Sequence, residues 1–216
     1  MYALSASLVG FVGSRSGYGV AVSSLRESRR EKLRAQIAQH ALQLFAHEGF
    51  DAVTAERLAA ELGISRRTFF GHFASKEDVV VHGANDDLHD LEAGLAAHTD
   101  LRFVDSLAAS APAWLESAGR HVERRRLRAS VERDHPKVKA AVREARLQGL
   151  QRVARPHVAA DLERTQEDSL VLLVTGAFAG IGLALDEVML SEPAKSQQAV
   201  AQALDLLGGM MSVASS

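Results

Sequence analysis

The sequence predicts an all-α protein in which a small N-terminal helical domain precedes a larger helical domain. Apolar residues recur at intervals of three and four, as on one face of a helix, and the alternation of two that marks a strand is missing. With 216 residues, 47% of them hydrophobic, the chain can bury a sizeable core. The absence of cysteine excludes disulfides, thiolate nucleophiles and cysteine zinc ligands, and it fits a cytoplasmic protein.

Residues 1–25 are expected to form a flexible tail. Residues 1–13 are apolar, but no lysine or arginine precedes them and glycines interrupt them, so they match a secretory signal poorly. A start codon assigned too far upstream would also explain this segment. The first clear helix spans residues 28–48 and ends at Gly49. Its inward face carries Leu33, Ile37, Ala41, Leu44 and Phe45.

Two short helices follow, and each begins at a residue whose side chain can cap a helix. Thr54 caps the first, which runs to Leu62 and is ended by Gly63. Ser65 caps the second, over residues 66–72. Helix, glycine turn and capped helix together are typical of a helix-turn-helix.

Longer helices are predicted over the rest of the chain. Ser75 begins a fourth helix that we expect to continue to residue 97. The remaining predicted helices span residues 103–117, 118–133, 136–164, 167–190 and 193–207. Pro136 and Pro193 fall where a first-turn proline is tolerated, whereas Pro112 and Pro156 indicate a kink or a break.

Charge is distributed unevenly along the chain, although the net charge is only -2. Residues 26–76 carry an excess of three positive charges, and the chain from residue 77 onward carries an excess of six negative charges. A basic N-terminal segment followed by an acidic remainder is typical of a protein that binds a polyanion through its N-terminal segment. The excess is small, so the spacing of particular residues must decide the interpretation.

The stretch "GISRRTFFGHFASKED", residues 63–78, concentrates aromatic and positively charged residues. Arg66 and Arg67 lie at the exposed start of the third helix, where an arginine can reach guanine or a phosphate in the major groove. Phe69 and Phe73, four residues apart, can anchor the inner face, and Phe70 then faces outward. The alternative is a three-helix structural unit whose arginines are merely solvated.

Residues 37–80, "IAQHALQLFAHEGFDAVTAERLAAELGISRRTFFGHFASKEDVV", resemble the DNA-binding domain of TetR (tetracycline-repressor) family transcriptional regulators. The resemblance implies an all-helical homodimer that binds double-stranded operator DNA and releases it when a small molecule occupies the C-terminal domain. It places a DNA-binding domain at residues 26–74 and a ligand-binding and dimerisation domain at 75–216. The DNA-contact residues that it implies are Thr54, Ser65, Arg66, Arg67, Thr68, Phe70, His72 and Lys76.

The segment "SLVLLVTGAFAGIGLALDEVML", residues 169–190, is apolar almost all round, which predicts contact on more than one side. Its uncharged run is too short to span a bilayer, so we expect a buried helix and no membrane partner. In the family the last two helices form the dimer interface. The interface candidates, some of which could instead be internal core, are Leu170, Val174, Ala177, Ile181, Leu185, Leu204 and Leu207.

An effector cavity is expected between helices of the C-terminal domain. The candidates for its lining, which could equally be ordinary core, are Leu91, Leu95, Phe103, Leu107, Trp114, Val122, Leu150 and Phe178. The run "RHVERRRLR", residues 120–128, could hold a carboxylate or phosphate of an acyl or CoA-like ligand. We favour a solvated face with Glu116 and Glu123 as its partners.

Neither a metal site nor an enzyme is predicted. His82, Asp86 and His89 share a helix side at metal-ligand spacing, but histidines also occupy wet helix faces. The sequence has no P-loop, dinucleotide fingerprint, nucleophile elbow or zinc-protease signature, and no cofactor is expected. The function expected is a repressor released from a palindromic operator by a small hydrophobic or acyl-type molecule. The alternative is a helical dimeric interaction protein, or an activator, without such a ligand.

Overall fold

The structure, a computed structural model, describes residues 16–215, with side chains from residue 29 onward. This part of the chain is all-α, as predicted, and has ten α-helices. The first five are α1 (Ser16–Glu48), α2 (Ala55–Glu61), α3 (Arg66–His72), α4 (Lys76–Val81) and α5 (Leu88–Ala97). The last five are α6 (Phe103–Arg120), α7 (Val122–Asp134), α8 (Pro136–Asp161), α9 (Ser169–Ser191) and α10 (Ser196–Ala214). A 3-10 turn, Pro193–Lys195, precedes α10.

The helix boundaries that depend on local chemistry lie where the sequence predicts them. The hydroxyl of Thr54 accepts a hydrogen bond from the backbone amide of Arg57 at 3.2 Å. The hydroxyl of Ser65 accepts one from the backbone amide of Thr68 at 3.0 Å. Gly63 ends α2 with a φ of 64°, a left-handed conformation that side chains disfavour. Local chemistry therefore fixes both ends of α2 and the start of α3.

The predicted fourth helix, residues 76–97, is wrong as a single helix because a turn divides it into α4 and α5. Gly83 adopts a φ of 75° in this turn. The side-chain amide of Asn85 donates a hydrogen bond to the backbone carbonyl of Ala145 in α8 at 3.0 Å. A Cβ on Gly149 would lie 2.7 Å from the same side-chain amide. Close packing of the turn on α8 thus overrides the helical pattern of the sequence.

Other boundaries differ in smaller ways. Helix α1 begins at Ser16 rather than near residue 28, so part of the predicted tail is helical, and residues 1–15 lie outside the described part. Helix α10 starts later than predicted and continues to Ala214. Pro112 and Pro156 both lie inside helices, so neither breaks its helix. We have no physical account of why α1 continues through Gly17 and Gly19.

Two hydrophobic cores lie along the chain. The N-terminal core is formed by α1–α4 together with residues of α7 and the start of α8, among them Phe69, Phe73 and Val138. The body core is formed by α5, α6, the rest of α8, α9 and α10, among them Phe103 and Phe178. Because α8 contributes to both cores, it connects the α2–α3 unit to the body.

Helix α9 is long and apolar enough to cross a membrane by length and composition alone. The core helix of a soluble protein passes the same test. In this structure α9 packs against α8 and α10 and buries Val171, Val174, Thr175, Phe178 and Ala179. We therefore interpret α9 as a packed helix of the body.

Candidate nucleic-acid interface and ligand cavity

Helix α3 presents a short exposed face above a buried aromatic anchor. The rings of Phe69 and Phe73 are almost completely inaccessible and lie 5.9 Å apart between centroids. Phe70, the next residue after the anchor, is 41% exposed. Since the helix is fixed from behind, Arg66, Arg67 and Phe70 project to solvent from its first turns.

The two arginines of α3 are held differently. The Nε of Arg66 lies 3.1 Å from a carboxylate oxygen of Glu56 in α2, and its guanidinium lies 5.5 Å from the centroid of the Phe70 ring. These contacts orient the Arg66 guanidinium within the chain itself. Arg67 is exposed and makes no ion pair with any other described residue. Arg67 can therefore engage a phosphate or base without first breaking a contact.

The rim of this face combines helix caps with basic residues of α1. Thr54 and Ser65 are exposed at the starts of α2 and α3, where backbone amides can also bind phosphate oxygens. Arg30 donates to the carbonyl of Gly71 at 3.3 Å, at the other end of α3. Burial and the nearby Arg30 and Arg34 lower the pKa of His72, which favours the neutral form of its imidazole.

Lys76 is turned inward. Its ammonium donates to the carbonyl of Phe50 at 2.8 Å and of Val53 at 3.4 Å, and it lies 4.2 Å from the centroid of the Phe50 ring. These contacts tie α4 to the loop between α1 and α2. Phosphate contact by Lys76 remains a prediction, and replacing this residue would also remove a structural contact.

A buried ion cluster, defined here as Asp87, Arg125, Arg146 and Asp186, lies where the α4–α5 turn meets α7, α8 and α9. Arg146 donates to both carboxylate oxygens of Asp87, at 2.6 and 2.8 Å, and its Nε donates to Asp186 at 2.8 Å. Arg125 bridges the same two carboxylates at 2.6 and 3.1 Å. Two positive and two negative charges cancel, as buried charges require.

The cluster perturbs its own ionisation. Burial alone would raise the pKa of Asp87, but Arg146 and Arg125 hold it below its ordinary value. Burial likewise opposes the charge of Arg146, yet Asp186 and Asp87 raise the pKa of that guanidinium further. Asp87 and Arg146 therefore both favour their charged forms.

This cluster corrects the prediction for residues 120–128. Arg120 does pair with Glu116 on the surface, at 3.2 Å. Arg124, however, pairs with Asp86 at 2.5 Å and Arg125 belongs to the buried ion cluster, while Arg128 is buried. Glu123 makes no ion pair with a described residue. Much of the run is therefore structural rather than a solvated face.

An apolar cavity of about 70 Å³ lies inside the body, between α5, α6, α8, α9 and α10. Its lining includes Leu91, Leu107, Trp114, Leu150 and Phe178, all five of which were candidates from sequence. Few polar groups reach it. The indole Nε1 of Trp114 is buried and has no hydrogen-bond partner in the described part of the chain, and Ser110 donates to the carbonyl of Ser106.

Residues 37–82 match the family model described as bacterial regulatory proteins of the tetR family. Over this N-terminal segment the chain is similar to regulators of the TetR family. It is similar to the HTH-type transcriptional regulator TcmR of Streptomyces glaucescens, with 40% identity over 57 residues. That match covers 26% of this chain and 25% of TcmR, so the chain spans about a quarter of the length of this curated relative.

The fold of the chain resembles the crystal structure of RolR in complex with its ligand resorcinol. The TM-score is 0.51 at 23% sequence identity, and the match covers 88% of this chain and 96% of RolR. At this identity the likeness concerns the fold. It extends beyond the matched N-terminal segment through the helices of the body.

The structure separates the other residues that the sequence suggested for a cavity in the body. Leu95 and Phe103 are buried in the body core but do not line the cavity, and Val122 lies at the start of α7, away from it. Sequence reasoning missed Ser110 and Val200, which do line it. Helical spacing could not separate core from cavity, because both kinds of residue face the interior.

The dimer-interface candidates mostly face inward in the single chain. Ile181, Leu185, Leu204 and Leu207 line the cavity, and Val174 is buried in the body core. Leu170 is partly buried against that core, and Ala177 is partly exposed. The large apolar side chains that α9 and α10 expose are instead Leu172, Leu173, Leu206 and Val213. Because both faces of α9 are apolar, the spacing of apolar residues could not predict which face points away from the body core.

The three residues at metal-ligand spacing are used elsewhere. His82 lies 3.4 Å from Glu31, Asp86 pairs with Arg124, and His89 is exposed beside Glu92. The described residues contain no group of three or more potential ligands that could hold a metal ion.

Proposed function

We propose that this protein is a DNA-binding transcriptional regulator that acts as a homodimer and responds to a small molecule. The observation that carries the proposal is the exposed face of α3, where Arg66, Arg67 and Phe70 project above the buried Phe69. The match of residues 37–82 to TetR-family regulators supports the same assignment. The guanidinium of an arginine at such a position can donate two hydrogen bonds to the edge of a guanine in the major groove, or bind a phosphate.

A dimer would supply the affinity that one seven-residue helix lacks. Leu173 and Leu206 are 70% and 63% exposed on α9 and α10, and Val213 follows on α10. A Cβ on Gly176 or Gly180 would meet no atom within 4 Å, so another helix could approach α9 closely there. This exposed apolar face supports pairing of two chains on a palindromic operator.

The effector that suits the body cavity is small and mainly apolar. The cavity, about 70 Å³, is smaller than an engineered cavity of about 150 Å³ that holds benzene, so binding requires side chains to move. The unpartnered Nε1 of Trp114 favours a ligand with a hydrogen-bond acceptor. We extend the proposal to a repressor released by a small hydrophobic or acyl-type molecule. The resorcinol complex of RolR makes resorcinol a suitable first probe.

The DNA assignment is tested by comparing Arg66→Ala with Arg126→Ala, an exposed arginine on α7 and so outside the α2–α3 unit. Arg66→Ala is expected to weaken binding of a selected operator by about 1 to 3 kcal/mol and to broaden the preferred sequence. Arg126→Ala should change neither. Fluorescence anisotropy with operator and random duplexes measures both effects. The assignment would be contradicted if Arg66→Ala and Arg126→Ala lost the same affinity for the operator. It would also be contradicted if Arg66→Ala lost as much affinity for random DNA as for the operator.

The effector cavity is tested with Gly182→Ala, because a Cβ there would meet Leu150 at 2.8 Å and push it toward the cavity. Gly119→Ala, where a Cβ meets no atom within 4 Å, is the matched control. Resorcinol binding can be followed by the fluorescence of Trp114, the chain's single tryptophan. Binding weakened only by Gly182→Ala supports the site. Equal binding by both variants contradicts it.

A further inference from the structure

A second opening in the body, the basic cleft, lies between α7, α8 and α9 and has a volume of about 620 Å³. Its walls combine charged residues with aliphatic ones, including Val142, Leu183 and Leu190. It shares only Arg146 with the apolar cavity, and that guanidinium is committed to Asp87 and Asp186. The two openings are therefore chemically separate.

The charges that line the basic cleft do not balance. Arg125, Arg146 and Asp186 belong to the buried ion cluster, which Asp87 completes and neutralises. The remaining cations are Arg128, Arg133, Lys139 and Arg143, and the remaining anions are Glu132 and Glu187. Two positive charges are left over at a concave surface with low-dielectric walls, where an anion is attracted most strongly.

Arg128 is the residue that distinguishes this cleft from an ordinary basic surface. It is only 6% exposed, yet no carboxylate of the described residues lies within ion-pair distance of it. Its Nε donates to the carbonyl of Val80 at 3.2 Å and one terminal nitrogen donates to that of His82 at 3.5 Å. Burial lowers the pKa of Arg128 to about 10, although Glu132 and Asp86 act in the opposite direction. Buried charges in proteins are normally paired in direct contact, whereas the carboxylates that stabilise this guanidinium, Glu132 and Asp86, lie beyond ion-pair distance.

We propose that the basic cleft binds a small organic anion, a carboxylate or phosphate monoester with a short aliphatic part, through Arg128. In this arrangement the free edge of the Arg128 guanidinium meets the anionic group. Arg133, Lys139 and Arg143 are exposed at the rim, where they attract the anion and screen its charge. Leu183 and Leu190 contact the aliphatic part. Charge recognition separates this site from the apolar cavity around Trp114.

Glu132 provides an internal check on this site. It lies one turn after Arg128 on α7 and lines the cleft, and burial raises the pKa of its carboxyl group. If the cleft receives an anion, the Glu132 carboxylate opposes it, and Glu132→Gln should strengthen binding a few-fold. If Glu132 is itself the counter-ion that Arg128 needs, the wild-type protein should bind no anion and binding should appear only in Glu132→Gln, which would overturn the proposal.

The probes are hexanoate, hexyl phosphate and hexanamide, which share a chain and differ in charge. Isothermal titration of the full-length protein is expected to show binding of at least one anion in the cleft, with affinity falling as salt is raised. Arg128→Gln should weaken that binding about tenfold or more, because charge-assisted hydrogen bonds are lost. It should leave any binding of hexanamide unchanged. Arg126→Gln, an exposed arginine of the same helix outside the cleft, is the matched control.

Arg143→Glu provides a second route if Arg128→Gln fails to fold, because Arg143 is exposed at the rim. This variant should weaken binding of the anion several-fold without changing the thermal unfolding midpoint. The proposal is overturned if neither anion binds at low salt, or if hexanamide binds as tightly as the anions. It is equally overturned if Arg143→Glu and a folded Arg128→Gln both bind like Arg126→Gln. Hexanoate alone would identify a carboxylate site, and hexyl phosphate alone a phosphate site.

Discussion

The buried ion cluster gives a stability prediction that can be worked from the structure. Asp87 is 3% exposed and Arg146 is 4% exposed, and they are joined by two hydrogen bonds of 2.6 and 2.8 Å. Asp87→Asn keeps the size of the side chain but removes its charge, so Arg125 and Arg146 share the single carboxylate of Asp186. Removing one partner of a buried pair leaves uncompensated charge, which costs about 3 to 5 kcal/mol.

The matched control is Glu116→Gln, which removes a carboxylate from an arginine pair of similar length. Its side chain is 80% exposed and lies 3.2 Å from Arg120, so the change should cost less than about 1 kcal/mol. Urea unfolding followed by circular dichroism at 222 nm, at one fixed protein concentration, measures both costs. Similar costs for Asp87→Asn and Glu116→Gln would refute the view that burial makes the cluster costly to disrupt.

Three further outcomes are expected. Phe69→Ala should cost about 3 to 5 kcal/mol of unfolding free energy because the ring is fully buried, whereas Phe70→Ala should cost under about 1 kcal/mol and weaken DNA binding instead; reversed costs in urea unfolding would contradict this. Burial lowers the pKa of His82 in the folded state, so the unfolded chain takes up a proton on this side chain first as the pH falls below about 6.5. The free energy of unfolding is therefore unaffected by this group above that pH and decreases below it. The unfolding midpoint should therefore fall less between pH 7.5 and 5.5 in His82→Gln than in the wild type, while the exposed His89→Gln should follow the wild type. Leu173→Glu should sediment as a folded monomer, and a persistent dimer would exclude this face of α9 as the interface.

Local chemistry explains which parts of the fold the sequence could predict. A serine or threonine cap bonds to an amide three residues away, as Ser65 does with Thr68, so the start of α3 is readable from its own residues. The spacing of Phe69 and Phe73 similarly indicated the buried face, and Gly63 the end of the preceding helix. The arrangement of α2 and α3 follows from signals within about twenty residues.

Contacts between distant segments explain what the sequence could not predict. The break between α4 and α5 depends on the packing of Asn85 against Gly149, and nothing near Asn85 in the sequence indicates that contact. The pairing of Asp87 with Arg146 likewise joins residues far apart in the chain. One signal was present, because Asp186 and Glu187 follow a long apolar run in α9, where a buried carboxylate demands a cationic partner.

The DNA-binding function is tested most directly by selecting duplexes from a random pool with the purified full-length protein. The account predicts enrichment of an inverted repeat whose half-sites are spaced by about one helical turn of DNA or a multiple of it, as two copies of α3 require. A variant with both Arg66→Ala and Arg67→Ala should lose that enrichment while remaining folded. Failure of the wild-type protein to enrich any sequence at low ionic strength would contradict the proposed function.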